Sequence, residues 1–178
     1  TGGGALPATH EFLTALRESA DRHGIVLLFD EVMSSRVSSG GAQLHYGITP
    51  DLTTFGKYMG GGLTFGAFGG RADIMDRYDP RRAGALPHAG TFNNNVLTMA
   101  AGLAAMRDIY TPEVADQHNA RGEAFKARLN DSVQAAGFPA TVTGIGTMLC
   151  IHFAPPPVHT PAQAWAADPS AGALCHLY

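Results

Sequence analysis

Five consecutive apolar residues, Ile25-Val26-Leu27-Leu28-Phe29, end abruptly in Asp30-Glu31. Side chains alternate between the two faces of a strand, so a run with no polar member is apolar on both. Such a strand belongs in the middle of a sheet covered on both sides, the setting of parallel strands. The residues ahead of it agree. Over 9–23, Phe12, Leu13 and Leu16 form an apolar stripe, with Thr9 as N-cap and Gly24 at the C′ position. A helix that leads straight into a doubly apolar strand sets the fold class as α/β.

Further along, Asp51–Phe55 reads as a second short strand ending at Gly56-Lys57. Gly60–Gly62 breaks the chain, Leu63–Phe68 reads as a third strand, and Arg71–Tyr78 as a short helix. Residues 31–49 and 79–95 read as loop, the first with room for one short helix. Val96–Ile109 is small and apolar around much of its circumference, so a buried helix is expected. Thr111-Pro112 starts another, with Thr as N-cap and Pro at N1, that runs to about Ala136 and stops at Gly137. Met148–Phe153 reads as a strand and 154–170 as loop. The order α-β-β-β-α-α-β divides near 110–112, giving domains over 1–111 and 112–178.

The chain has 178 residues, 45% apolar and 15% charged, which suits one α/β domain or one domain and part of another. A net charge of −3 without any basic run argues against nucleic acid as a partner. No stretch has the apolar length of a membrane span and no signal peptide opens the chain, so no membrane association and a cytoplasmic location are expected. Cys150 and Cys175 form no CxxC pair, so sulfur offers no zinc site; reduced thiols are favoured over a disulfide. The 22 glycines gather at Gly2–Gly4, Gly40–Gly41, Gly60–Gly62 and Gly69–Gly70, which points to close backbone approaches. Beginning at Thr1 and stopping in Leu174–Tyr178, the sequence reads as an excerpt of a longer protein.

Two residues carry chemistry. Asp30 ends the apolar strand, the edge at which open α/β sheets bind ligands; by itself it could equally cap a turn. Lys57 follows a strand in a setting of apolar residues and glycines, where desolvation favours a neutral, nucleophilic amine; by itself it reads more readily as a surface lysine. Together they match the needs of a pyridoxal cofactor, an amine for its aldehyde and an acid for its ring nitrogen. The apolar run before Asp30-Glu31 also fits the acid-bearing strand of ATPases. The phosphate loop that reading requires is missing, because Asp51 and Tyr58 flank Gly56-Lys57 where Gly and Ser/Thr are needed.

Phe29-Asp30-Glu31-Val32-Met33, Pro50–Lys57, Gly60-Gly61-Gly62-Leu63 and Gly66–Arg71 resemble the class III aminotransferases. The resemblance covers residues 2–153 and is most specific over 30–102. It implies fold type I, that of aspartate aminotransferase: a mostly parallel sheet in a large domain, with residues 1–111 its later part and 112–178 the start of a small C-terminal domain. It implies pyridoxal 5'-phosphate bound to Lys57 as a Schiff base, and Lys57 as the residue that moves the substrate proton. Asp30 is implied as the partner of the ring nitrogen, Val32 as the residue packed on one ring face, and Gly90-Thr91 as a phosphate contact made across a homodimer interface. His88, just before that pair, reads as a structural or solvent-facing histidine rather than a phosphate contact, and His23, His45 and His118 show no ligand spacing.

Within the family, Met33 resembles the glutamate-1-semialdehyde aminomutase branch, whereas Ser34-Ser35-Arg36-Val37 and Gly90–Val96 resemble β-amino-acid aminotransferases. The expected reaction is transamination from an amino acid, including a β-amino acid, to an oxo acid. The alternative is the aminomutase, which needs no acceptor. A third reading, of another class, is a non-catalytic fragment. In the family, the main phosphate-gripping turn and the aromatic on the other ring face lie ahead of Thr1, so the isolated chain is expected to bind cofactor weakly without turnover.

Overall fold

The computed structural model describes residues 4–165. His10–Val114 forms one compact unit; the described parts of Thr1–Thr9 and Ala115–Tyr178 form the other. Gly2, Gly3, Cys175 and the tail Leu174–Tyr178, which were singled out above, lie outside the described residues.

The first unit opens with α1, His10–His23, and β1, Leu28–Asp30. A 3-10 turn, Ser34–Arg36, and α2, Gly41–Tyr46, lead to β2, Leu52–Gly56. A second 3-10 turn, Lys57–Gly60, precedes β3, Gly66–Gly70, and then come α3, Ala72–Met75, and a third turn, Asp76–Tyr78. α4, Val96–Ala104, closes the unit and continues as a π-helical turn, Ala105–Ile109. The sheet order is β1-β2-β3. β1 and β2 are parallel, with Phe29 opposite Thr53 and Asp30 opposite Thr54. β3 is antiparallel to β2. The link over residues 57–65 is shorter than the dozen or so residues a parallel crossover needs, which accounts for the reversal.

Two expectations of burial fail in this unit. Leu28 is 47% exposed and Ile25 and Val26 are exposed too, because β1 has a strand on one side only among the described strands. α4 buries only Thr98 and Gly102. It packs through its smallest residue, since a Cβ at Gly102 would lie 2.5 Å from the Met59 carbonyl oxygen, while Val96 stays 78% exposed.

Buried charge organises this unit more than apolar bulk does. Asp51, with a side chain 7% exposed, accepts from the Leu27 amide at 2.7 Å, from Arg17 at 3.0 Å and from Arg71 at 2.8 Å. It thereby ties α1, the entry to β1 and the end of β3 to one carboxylate. The Arg71 hydrogen bond, then the Leu27 amide, hold the Asp51 carboxyl down at about 2, against a smaller opposing effect of burial. Glu31 is 1% exposed and accepts from the amides of Ala42 at 2.6 Å and Gln43 at 3.0 Å. Those are first-turn amides of α2, donors with no partner inside the helix and well placed for a buried carboxylate. Gly41, at φ +76°, gives the acid its room: a Cβ there would meet Glu31 Oε2 at 2.5 Å.

The second unit rests on α5, Pro112–Ala135, whose first residues belong to the unit before. Behind it stand the hairpin β4, Thr141–Ile145, and β5, Met148–His152, and then α6, Pro161–Trp165. β4 and α6 were not expected from the sequence. One face of α5 binds the hairpin's outward backbone. Asn130 pairs with both the amide and the carbonyl of Val142, Lys126 donates to Gly144, Glu123 accepts from Gly146, and Asn119 accepts from Thr147. His152, buried, shares its Nε2 between Thr143 Oγ1 and the Gly4 carbonyl, both at 2.9 Å.

Candidate active site

The parallel register of β1 and β2 brings the two chemical residues to one end of the sheet. Asp30 is the last residue of β1 and Lys57 the first after β2. Cross-strand partners in a parallel pair present their side chains on one face, and Thr54 Oγ1 donates to Asp30 Oδ1 at 2.9 Å. The Val32 amide donates to the same oxygen at 3.2 Å. Oδ2 takes no hydrogen bond among the described residues, so the carboxylate is oriented through one oxygen and has the other to offer. Val32 stands beside Gly56, the residue before Lys57: a Cβ at Gly56 would lie 3.3 Å from Val32 Cγ1 and 3.2 Å from the Phe65 carbonyl oxygen. Glycine at 56 lets the two strand ends close on each other.

Lys57 is exposed, so the desolvated setting expected for it is absent from this chain. Its backbone is unusual instead, with φ at +55°. A left-handed conformation at a residue with a Cβ costs about 1–2 kcal/mol, so the surroundings have to hold it there. Two sets of contacts do. Gly61, at φ +61°, lets the chain turn against α4, where a Cβ would overlap the Ala101 carbonyl. On the other flank the Tyr58 ring meets Tyr110 edge-on, with centroids 5.1 Å apart, and lies under the Arg36 guanidinium.

Gly90 and Thr91 are not brought to this point by any described contact. Both are exposed in the turn ahead of α4, where Asn93 N–H donates to the Gly90 carbonyl at 3.0 Å. Thr91 does not cap the helix; Asn95 does, its Oδ1 accepting from the amides of Leu97 and Thr98. His88 joins an aromatic cluster, edge-on to Phe68 at 5.3 Å and to Tyr78 at 6.1 Å. The packing roles of Glu31, Asp51 and Tyr58 were missed in sequence. For Glu31 and Asp51, each inside a quoted motif, a charged residue in an otherwise uncharged stretch was the available signal; Tyr58 lies between two motifs.

A primary amine and an oriented carboxylate at the ends of adjacent parallel strands, with an aliphatic side chain beside Gly56, make a donor set that fits a pyridine aldehyde. Comparison with known proteins agrees with that chemistry. The family model for aminotransferase class III matches residues 1–176. The chain is 50% identical over 165 residues to the β-phenylalanine transaminase of Variovorax paradoxus, covering 93% of this chain and 38% of that protein. The crystal structure of a β-phenylalanine aminotransferase from that organism superposes with a TM-score of 0.93 at 49% identity, over 97% of this chain and 40% of the other. Glutamate-1-semialdehyde 2,1-aminomutase 2 of Brevibacillus brevis is 43% identical over 166 residues, 93% of this chain and 38% of that protein. A solved transaminase with PLP bound is 36% identical with a TM-score of 0.77, over 83% of this chain and 35% of that one. The chain thus spans well under half the length of these relatives.

Proposed function

The chain belongs to the class III aminotransferases, and from that membership we propose that the whole protein moves an amino group from an amino acid to an oxo acid with pyridoxal 5'-phosphate. The parallel pairing that sets Asp30 and Lys57 at one sheet edge is the observation that carries this reading. When bound, the cofactor supplies an aldehyde that captures amines and a ring that accepts electrons from the substrate carbon. Lys57 would supply the amine that holds the cofactor and, when free of it, would take the proton from the substrate carbon. Asp30, with one oxygen fixed by Thr54 and the Val32 amide, would partner the ring nitrogen. Val32 would pack against the ring, and Gly90-Thr91 would hold the phosphate from the neighbouring subunit of a homodimer. In the whole protein, which we place in the cytoplasm, residues 1–111 belong to the large domain and 112–178 begin the small one.

A β-amino acid is the favoured donor, supported by the greater identity to the β-phenylalanine transaminase than to the aminomutase. The full-length protein, incubated with pyridoxal 5'-phosphate and reduced with borohydride, should carry the label on Lys57. Product from β-phenylalanine should then require an added oxo acid. A label on another lysine refutes the site; turnover of glutamate-1-semialdehyde without an acceptor refutes transamination in favour of the isomerase.

A further inference from the structure

We propose that Arg36, Tyr58 and Tyr110 form a positioning unit that fixes the direction in which Lys57 presents its amine, an inference that rests on the role given to Lys57 above. Lys57 opens a 3-10 turn in a left-handed conformation that residues with a Cβ seldom adopt. Such a conformation persists where neighbours over-determine it. The residue immediately after it is held from two sides. The Arg36 guanidinium carbon lies 5.3 Å from the centroid of the Tyr58 ring, within cation–π range. Tyr110 meets the same ring edge-on at 5.1 Å, the favoured arrangement of an aromatic pair. The Tyr110 hydroxyl then donates to the Arg36 main-chain carbonyl at 3.3 Å.

These three contacts close a circuit. Arg36 ends the 3-10 turn that follows β1, Tyr58 lies in the turn that follows β2, and Tyr110 follows the π-helical turn beyond α4. The ends of two adjacent parallel strands are therefore tied through one ring, a single residue from Lys57. The Gly61 and Gly102 contacts seat the far side of the turn on α4, leaving the Tyr58 side as the adjustable one. If the ring is lost, the turn keeps its seat on α4 but loses one of the two sets of contacts that hold φ of Lys57 positive. The backbone can then relax toward the ordinary right-handed region, which swings the Cα–Cβ bond and carries the amine with it. A displacement on the order of 1 Å at a reacting group can cost about a hundredfold in rate.

The test uses the full-length holoenzyme with Tyr58→Leu, Tyr58→Phe, Tyr110→Phe and Arg36→Met. Three quantities are read: kcat and KM, the pH midpoint of the visible absorption of the lysine-bound cofactor, and the site of the borohydride-trapped label. Tyr58→Leu should lower kcat at least about tenfold, leave KM for the amino donor within about twofold, and move the pH midpoint. Tyr58→Phe should keep all three near wild type. Tyr110→Phe, which removes the hydroxyl that donates to the Arg36 carbonyl, and Arg36→Met, which removes the cation over the Tyr58 ring, should shift kcat and midpoint in the same direction by less. The proposal is overturned if Tyr58→Leu lowers thermal stability and leaves kcat and midpoint unchanged. Should Tyr58→Leu fail to fold, wild-type kcat and midpoint in both Tyr110→Phe and Arg36→Met overturn it equally. A wild-type label on Lys57 together with unmoved midpoints defeats this inference alone, whereas a label elsewhere defeats the assignment beneath it as well.

Discussion

Replacing Asp51 by Asn removes a charge while keeping an oxygen for the Leu27 amide, which isolates the ionic part of the contact. The folded protein holds this carboxyl at about 2, against 3.8 for an unperturbed one. That difference corresponds to about 2 kcal/mol favouring the folded state when the group is ionised. Little is lost to solvent screening, since the side chain is 7% exposed. A carboxyl depressed on folding adds stability that is complete above its unfolded value and disappears as pH falls through its folded value. The wild-type advantage should therefore be constant from pH 7 to about 5, shrink below about 4, and vanish near 2. Thermal unfolding of full-length wild type and Asp51→Asn across that range is the assay, with roughly 2–4 °C expected per kcal/mol. Asp51→Ala should cost more, because the Leu27 amide would also lose its acceptor. Equal midpoints at pH 7, or a gap that persists undiminished to pH 3, would show that Arg17 and Arg71 contribute no net charge stabilisation through Asp51.

Lys57→Ala should abolish both the visible band of the bound cofactor and borohydride labelling in the full-length enzyme; a retained band means another lysine attaches it. Asp30→Asn should keep covalent attachment while lowering kcat about a hundredfold or more, which steady-state kinetics on the holoenzyme will read. Gly61→Ala should destabilise by about 2 kcal/mol or more in urea titration, because the new Cβ combines a left-handed backbone with overlap on the Ala101 carbonyl. Asn130→Ala should cost about 1–3 kcal/mol by stranding the amide and carbonyl of Val142 together, and Asn130→Gln should not restore it, since its extra methylene displaces the amide.

Much of the framework could be read from residue pattern. The helix expected over 9–23 is His10–His23, and the one expected from Pro112 to about Ala136 is Pro112–Ala135, because capping residues and glycine stops act locally. The strand ahead of Asp30 was expected from Ile25, but it forms only over Leu28–Asp30, and its burial was misjudged as well. An apolar run reports what a strand can be covered by, while the covering layer comes from residues elsewhere. β4 went unread although Thr141-Val142-Thr143 is a β-branched run; Gly144 lies inside the strand, whereas Gly146 belongs to the turn after it. At the site, Asp30 and Lys57 stood out through unusual chemistry at strand ends. The parallel register that brings those strand ends level depends on pairing between segments more than twenty residues apart, and so does the Tyr58 circuit. No short window contains either.

The way α5 grips the hairpin has a directional consequence. In a two-stranded antiparallel pair, each strand keeps one row of backbone groups for its partner and turns the other row outward, where an additional strand could dock. On β4 the row through Val142 and Gly144 is already occupied by Asn130 and Lys126. Growth of this sheet at β4 is thereby blocked, and an incoming strand from another chain finds that margin sealed. A helix whose polar stripe looks like ordinary surface thus acts as a stop on sheet propagation.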